Sequence, residues 1–186
     1  WFLIATERAS LYPSANQTNR ENQQMSASLY QATVPGFIAM LNNFKGWLDK
    51  AAAQGNEAEL IEARLAPDMF ALPRQIQIAA DAAKGAGARM TGTEAPAMAD
   101  TETTFAKLKA RCDATIAYLE TVDPAAFDAG ADREVVITFP NGAGLRFDGH
   151  TFLTGFAVPN FYFHASITYA ILRARGVEVG KADFLG

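Results

Sequence analysis

The apolar helical pattern over residues 149–176 most constrains what this chain can fold into. Large apolar side chains recur at the spacing of one face of an amphipathic helix. They are Phe152, Phe156, Phe163, Ile167 and Ile171. Asn160 and His164 are four residues apart, so they share a side of the helix, bordering the apolar face. The pattern predicts a long core helix that carries a polar pair, with a kink at Pro159.

Three further apolar patterns predict long helices over about residues 29–53, 72–90 and 101–121. The apolar positions of the first are Val34, Phe37, Leu41, Phe44 and Leu48, and Asp100 is expected to cap the third. In the second of these, small residues predict close packing against a neighbouring helix. They are Ala79, Ala80, Ala83, Gly85 and Gly87. A shorter helix is expected over about residues 57–65.

Two β-prone runs, over residues 134–139 and 145–148, are joined by Pro-Asn-Gly-Ala-Gly. This pattern predicts a β-hairpin before the last long helix. The fold class is therefore all-α, a four-helix bundle with a small inserted β-hairpin. We expect a single domain over residues 25–186, preceded at residues 1–24 by an extension of different composition.

Composition excludes several functional classes. The net charge of −4 argues against nucleic-acid binding, which needs a basic face. No apolar run approaches the roughly 20 residues that cross a bilayer, so no membrane partner is expected. The single cysteine, Cys112, excludes an internal disulfide framework and suits a reducing cytoplasm, the predicted location. Cys112 falls on an apolar helix face, which favours a buried, unreactive side chain.

His164 is one of two histidines and allows two interpretations. It is either a core-edge histidine satisfied by a hydrogen bond, or a ligand or proton-transfer group in a pocket of the bundle. Asn160 could orient His164, bind a ligand with it, or cap a carbonyl freed by Pro159. His150 lies at the start of the helix, where a cap or hairpin contact is expected.

Polar residues on the second long helix supply further candidates. Gln77 and Asp81 share one face, for which solvent exposure is the default. A glutamine that faces inward would need partners, and His164 or Asn160 could provide them. The chain has no H-E-x-x-H, Walker, G-x-S-x-G or dinucleotide-binding motif.

Four segments carry a resemblance to a known family. They are Leu65-Ala-Pro-Asp-Met-Phe-Ala-Leu-Pro-Arg-Gln-Ile-Gln, Asp100-Thr-Glu-Thr-Thr-Phe, Val158-Pro-Asn-Phe-Tyr-Phe-His and Gly180-Lys-Ala-Asp-Phe-Leu-Gly. Over about residues 25–186 the chain resembles a bacterial family of unknown function that is grouped with the DinB/YfiT-like four-helix bundles. The resemblance implies a bundle that often forms homodimers.

Many DinB-like relatives bind a divalent metal with three histidines, one from the second helix and two from an H-x-x-x-H pair on the last. His164 matches the second member of that pair, and Asn160 stands in place of the first. Gln77 matches the helix-two histidine approximately, with Gln75 as the alternative register. Amide oxygens are poor ligands for zinc or nickel. The resemblance thus implies a pocket without a tightly held metal, and no cofactor is expected.

These observations support three hypotheses. The first is a metal-free, homodimeric bundle with a pocket lined by Gln77 (or Gln75), Asn160 and His164 for an unknown small molecule. The second is an enzyme in which His164 is catalytic, as a general base or as a ligand of a weakly held metal, like DinB-like thiol transferases. The third is a dimeric structural or interaction module that associates through aromatic residues such as Phe161, Tyr162 and Phe163.

Overall fold

The computed structural model describes residues 28–138 and 142–186. The predicted extension at residues 1–24 lies outside the described residues. In chain order, the elements are α1 (Leu29–Ala52), α2 (Glu57–Ile61), α3 (Leu72–Thr91), α4 (Phe105–Glu120), α5 (Pro124–Asp128), β1 (Glu134–Thr138), β2 (Gly144–Asp148), α6 (Gly149–Phe152), a π-helical turn (Leu153–Ala157), α7 (Val158–Ala174) and α8 (Lys181–Leu185). The predicted helical fold with one small hairpin is confirmed.

The four long helices pack as a ring around one core. Helix α3 packs against α4 and α7, and α1 packs against the same two helices. The apolar positions predicted for α1 are all buried, namely Val34, Phe37, Leu41, Phe44 and Leu48. None of the described helices is long and apolar enough to cross a membrane.

Small residues let α3 approach its neighbours closely. Ala79, Ala80 and Ala83 are completely buried. A Cβ atom at Gly87 would lie 3.2 Å from the Tyr118 ring of α4, so the glycine permits that approach. The tight helix contact predicted for this part of the sequence is the contact between α3 and α4.

Helix α4 begins later than predicted. The sequence placed its start near residue 101 with Asp100 as the cap, but the helix starts at Phe105, and the Thr104 side chain accepts a hydrogen bond from the Lys107 backbone N–H at 3.3 Å. The Asp100 carboxylate binds Arg74 and Arg111 instead of capping the helix. A side-chain ion pair has therefore replaced the expected cap.

The last long helix contains a π-helical turn immediately before Pro159. The prediction that Phe163 belongs to the buried face is wrong, because its side chain is 55% exposed. A π-turn adds one residue to the helical repeat and rotates the following residues by about 100°. Beyond the turn the buried face extends to the next position along the chain and includes His164, Thr168 and Leu172, while the predicted Ile171 is also buried.

The hairpin is fastened to this π-turn by aromatic side chains. β1 and β2 pair antiparallel, with Val135 opposite Phe147. The Phe147 ring lies 6.3 Å from the Phe152 ring and 5.7 Å from the Phe156 ring, measured between centroids. The hairpin therefore closes one end of the seam between α3 and the last helix.

We predict that Gly149→Ala destabilises the fold, because the added Cβ would overlap the carbonyl oxygen of Gly130. The expected loss is about 1–3 kcal/mol, typical of overpacking. Gly46→Ala is the matched control, because nothing lies within 4 Å of a Cβ at that position. The control should gain up to about 1 kcal/mol from helix propensity. Equal free energies of unfolding in urea for the two variants would contradict this close packing.

Candidate functional site

A hydrogen bond between α7 and α3 holds the His164 imidazole. The Nδ1 atom of His164 lies 2.7 Å from Oε1 of Gln75, and the two residues are only 8% and 2% exposed. The Gln75 Nε2 group donates to the Phe70 carbonyl oxygen at 3.0 Å, which fixes the orientation of the amide. Because Oε1 can only accept, Nδ1 must carry the proton. When the imidazole is neutral, Nε2 therefore keeps a free lone pair.

The surroundings of His164 favour that neutral form. Burial, together with the positive charge of Arg74, lowers the pKa of His164 below its ordinary value. Within the described part of the chain Nε2 has no hydrogen-bond partner. The ring contacts Phe163, with 5.1 Å between the centroids. A largely buried, uncharged base thus lies beside an exposed aromatic side chain.

Gln77 faces a different part of the bundle. Its Oε1 accepts from Arg74 Nη1 at 3.3 Å, and its Nε2 donates to Glu102 Oε2 at 2.8 Å. The prediction that Gln77 shares a pocket with Asn160 and His164 is therefore wrong, and the alternative register with Gln75 describes the contact. Residues two apart on a helix are separated by about 200°, so Gln77 turns away when Gln75 faces α7.

A buried arginine organises the polar groups around Gln77. The Arg111 side chain is 1% exposed. Its Nη1 donates to Glu102 Oε1 at 2.9 Å and to the Ala99 carbonyl at 3.2 Å. Its Nη2 lies 2.9 Å from Asp81 Oδ1 and 3.0 Å from Asp100 Oδ1. These bonds fasten the segment between α3 and α4 to both helices.

Two more cations complete this cluster, which we call the Arg111 network. Lys84 Nζ lies 3.0 Å from Asp81 Oδ1, and Arg74 pairs with Asp100. The network therefore consists of three cations and three carboxylates, Arg74, Lys84, Arg111, Asp81, Asp100 and Glu102. Burial raises the pKa of Glu102, but hydrogen bonds from Arg111 and Gln77 outweigh it and hold the pKa below its usual value. The charges of the network balance one another.

The sequence contained a signal for this network that we missed. Arg111 follows Leu108 by three residues and adjoins Cys112, so it lies on the apolar face of α4. A charged side chain on a buried face needs partners of opposite charge. Asp81 and Gln77 were expected to be solvated, but Gln77 is buried and Asp81 half-buried.

Asn160 lines a cavity of about 170 Å³ between α3, β1 and the π-turn, which we call the Asn160 cavity. Its wall is mostly apolar and is formed by Ile78, Ala82, Ile137, Phe152, Phe156 and Ala157. Asp81, Arg89 and Asn160 supply the polar groups. His164 and Gln77 are not among its lining residues, so the structure separates the Asn160 amide from both of them.

Two polar side chains of the Asn160 cavity have no polar partner within residues 28–138 and 142–186. The Asn160 amide makes no hydrogen bond there, and the expected cap to a carbonyl near Pro159 is absent from that part of the chain. The Arg89 guanidinium forms no ion pair there and lies over the Phe152 ring, 5.8 Å from its centroid. Both groups are therefore available to a ligand.

The remaining reactive candidates are structural. Burial raises the pKa of the Cys112 thiol to about 12, so it stays protonated, as its position on an apolar face predicted. His150 is exposed, and its backbone N–H donates to the Ala131 carbonyl at 2.8 Å. Asp148, rather than His150, caps the helix. Among the described residues, no group of three or more His, Cys, Asp or Glu side chains is arranged to hold a metal ion.

Comparison with known proteins now identifies the family. The model of the Domain of unknown function (DUF1993) matches residues 29–185, which is most of the chain. The chain belongs to the DUF1993 family. This DUF1993 protein is also similar to a crystal structure, at 1.83 Å resolution, of a DinB family member protein from Shewanella denitrificans, with 42% identity and a TM-score of 0.78. The match covers 89% of this chain and 94% of that one. No curated protein gives a match.

The tautomer of His164 in this DUF1993 bundle can be tested by long-range ¹⁵N–¹H NMR. We expect a protonated Nδ1 and an unprotonated Nε2 at neutral pH. Because the pKa of His164 is lowered in the folded state, only the unfolded chain gains this proton just below the ordinary histidine pKa of about 6.5. The free energy of unfolding should therefore fall as the pH drops through that window.

The His164→Gln variant should lose this decrease in stability, whereas the control variant His150→Gln, at an exposed site, should keep it. Urea unfolding between pH 7 and 5, above the titration range of most carboxylates, measures both slopes. A proton on Nε2 with an unprotonated Nδ1 would contradict the assigned hydrogen bond.

Proposed function

We propose that this DUF1993 protein is a small-molecule-binding helical bundle and that the Asn160 cavity is its binding site. The observation that carries this proposal is an apolar cavity whose polar side chains Asn160 and Arg89 have no polar partners in the described chain. Ligand sites are typically apolar concavities with a few convergent polar groups. Its volume of about 170 Å³ favours a molecule smaller than a typical drug.

The chemistry of the available donors supports binding without a transition metal. The resemblance places Gln77 or Gln75, Asn160 and His164 at the positions of the relatives' three histidines. Neutral amide oxygens bind zinc and nickel poorly beside imidazole or thiolate ligands. The Gln75 oxygen is also engaged by His164 Nδ1 at 2.7 Å. This donor set does not fit a tightly held metal.

A second candidate function is enzymatic, with His164 as a general base. The free Nε2 lone pair favours it, because an imidazole oriented through Nδ1 can accept a proton at Nε2. The lowered pKa keeps this base unprotonated at neutral pH. The free thiol of Cys112 is buried and stays protonated, so it does not serve as an activated nucleophile, and the binding proposal is the better supported one.

We also propose that two copies associate and act in the cytoplasm. Phe163 contacts the His164 ring and Phe70 accepts a hydrogen bond from Gln75 through its carbonyl, and the two aromatic residues are 55% and 59% exposed. Exposed aromatic side chains are typical of the centres of interfaces. Sedimentation over a range of concentrations tests the association, and a strictly monomeric protein would exclude it. The buried Cys112 thiol is compatible with a reducing compartment.

The binding proposal is tested with benzoate and benzamide as probes, using NMR to locate the signals that they shift. We expect at least one probe to shift the NMR signals of the residues that line the Asn160 cavity. Ala82→Leu fills part of this cavity with a good helix former and should weaken binding about tenfold or more. Ala106→Leu, at an exposed position of α4, is the control and should bind like the wild type.

Two outcomes would count against this proposal. If neither probe binds, or if Ala82→Leu binds as well as the wild type, the Asn160 cavity is not the binding site. Elemental analysis of the untagged protein should show less than one transition metal per chain. A stoichiometric metal that His164→Ala removes would overturn the metal-free part of the proposal.

A further inference from the structure

We propose that the ligand of the Asn160 cavity is a small monocarboxylate with an apolar body, whose carboxylate is held by the Arg89 guanidinium and the Asn160 amide. This inference rests on the proposed function and adds the chemical class of the ligand to it.

The charges around the cavity call for an anion. The three cations of the Arg111 network are balanced by its three carboxylates, whereas Arg89 stands outside it and has no ion pair within the described residues. Asp81 also lines the cavity, but its Oδ1 atom lies within 3.0 Å of both Lys84 Nζ and Arg111 Nη2. Its negative charge is thereby compensated, and the Arg89 charge is left for a ligand.

The sequence of α3 leaves space for the Arg89 guanidinium. A Cβ atom at Gly85 would overlap Arg89 Nη1, so a larger residue there would displace the guanidinium from this position. A glycine inside a helix is unfavourable relative to alanine, and here it permits the guanidinium to lie across the turn above it. The other side of the group is held over the Phe152 ring at 5.8 Å. Arg89 is an exposed residue, so a ligand can reach its guanidinium from solvent, and a guanidinium binds a carboxylate through two parallel hydrogen bonds.

The rest of the cavity fits an apolar ligand body. Ile78, Ala82 and Phe156 provide an apolar wall, and the Asn160 amide can donate to a second carboxylate oxygen. The volume of about 170 Å³ is similar to that of an engineered apolar cavity of about 150 Å³ that holds benzene. One six-membered ring or a short alkyl chain therefore fits in a cavity that Arg89 and Asn160 also line.

Benzoate and benzamide test this inference because they share one shape and differ in charge. We expect calorimetry to show that the wild type binds benzoate roughly tenfold or more tightly than benzamide, as for hydrogen bonds between two charged groups. Arg89→Gln should weaken the binding of benzoate and thereby remove this preference. Arg175→Gln, an exposed arginine at the other end of α7, is the matched control and should keep it.

Other results of these binding measurements would contradict the inference in distinguishable ways. Equal affinities of the wild type for the two probes, or a preference that survives Arg89→Gln, would overturn the carboxylate assignment and leave the binding cavity in place. If inorganic phosphate binds as tightly as benzoate, the site is a general anion site. The inference that the ligand has an apolar body is then wrong. If no probe binds, the proposed function fails as well. If Arg89→Gln does not fold, the preference for benzoate over benzamide is compared between the wild type and Arg89→Lys instead. A preference as large in Arg89→Lys as in the wild type would then count against the two parallel hydrogen bonds from Arg89.

Discussion

The π-turn at Leu153–Ala157 sets which face of the last helix meets α3, and the candidate sites depend on that choice. The turn adds one residue to the helical repeat, so every side chain beyond it is rotated by about 100°. The rotation turns Phe163 to solvent and His164 toward Gln75. It also leaves Asn160 at the wall of a cavity that the turn itself helps to form. π-Turns are frequent at functional sites, and here one turn positions both polar groups.

Polar residues of α3 that are close in sequence lie in two different polar environments. Gln75 faces α7 and fixes the imidazole, whereas Gln77 faces the segment that leads into α4. The buried Arg111 charge is tolerated because carboxylates from that segment and from α3 surround it. Asp81 belongs to this network and also to the wall of the cavity, so the two environments meet at one carboxylate.

The fold was largely predictable because its signals are local. The apolar positions of α1 repeat at helical spacing, and all five that were predicted are buried. The hairpin was marked by two β-prone runs on either side of the sequence Asn-Gly. The start of α4 was not predictable in this way, because Asp100 binds arginines from two distant positions instead of capping the helix. Ion pairs between residues far apart in the sequence do not alter the local sequence pattern, so that pattern cannot predict them.

The site was predictable only in part, for the same physical reason. His164 and Asn160 stood out as polar residues beside an apolar helix face, and both are at least half-buried. Their partners could not be assigned, because the extra residue of a π-turn does not show in the spacing of apolar residues along the sequence. The Gln75 and Gln77 alternatives differ by about 200° around α3, and only the packing against α7 decides between them. Arg111 was overlooked although its position on an apolar face required buried partners.

The burial of Cys112 has a practical consequence for spectroscopy. It is the chain's single cysteine, and a thiol that stays protonated to about pH 12 reacts slowly with maleimides and other alkylating reagents. Two cysteines introduced at exposed positions of different helices could therefore take spin labels or fluorophores while the native residue remains in place. Distances between the helices could then be followed without first rebuilding the core.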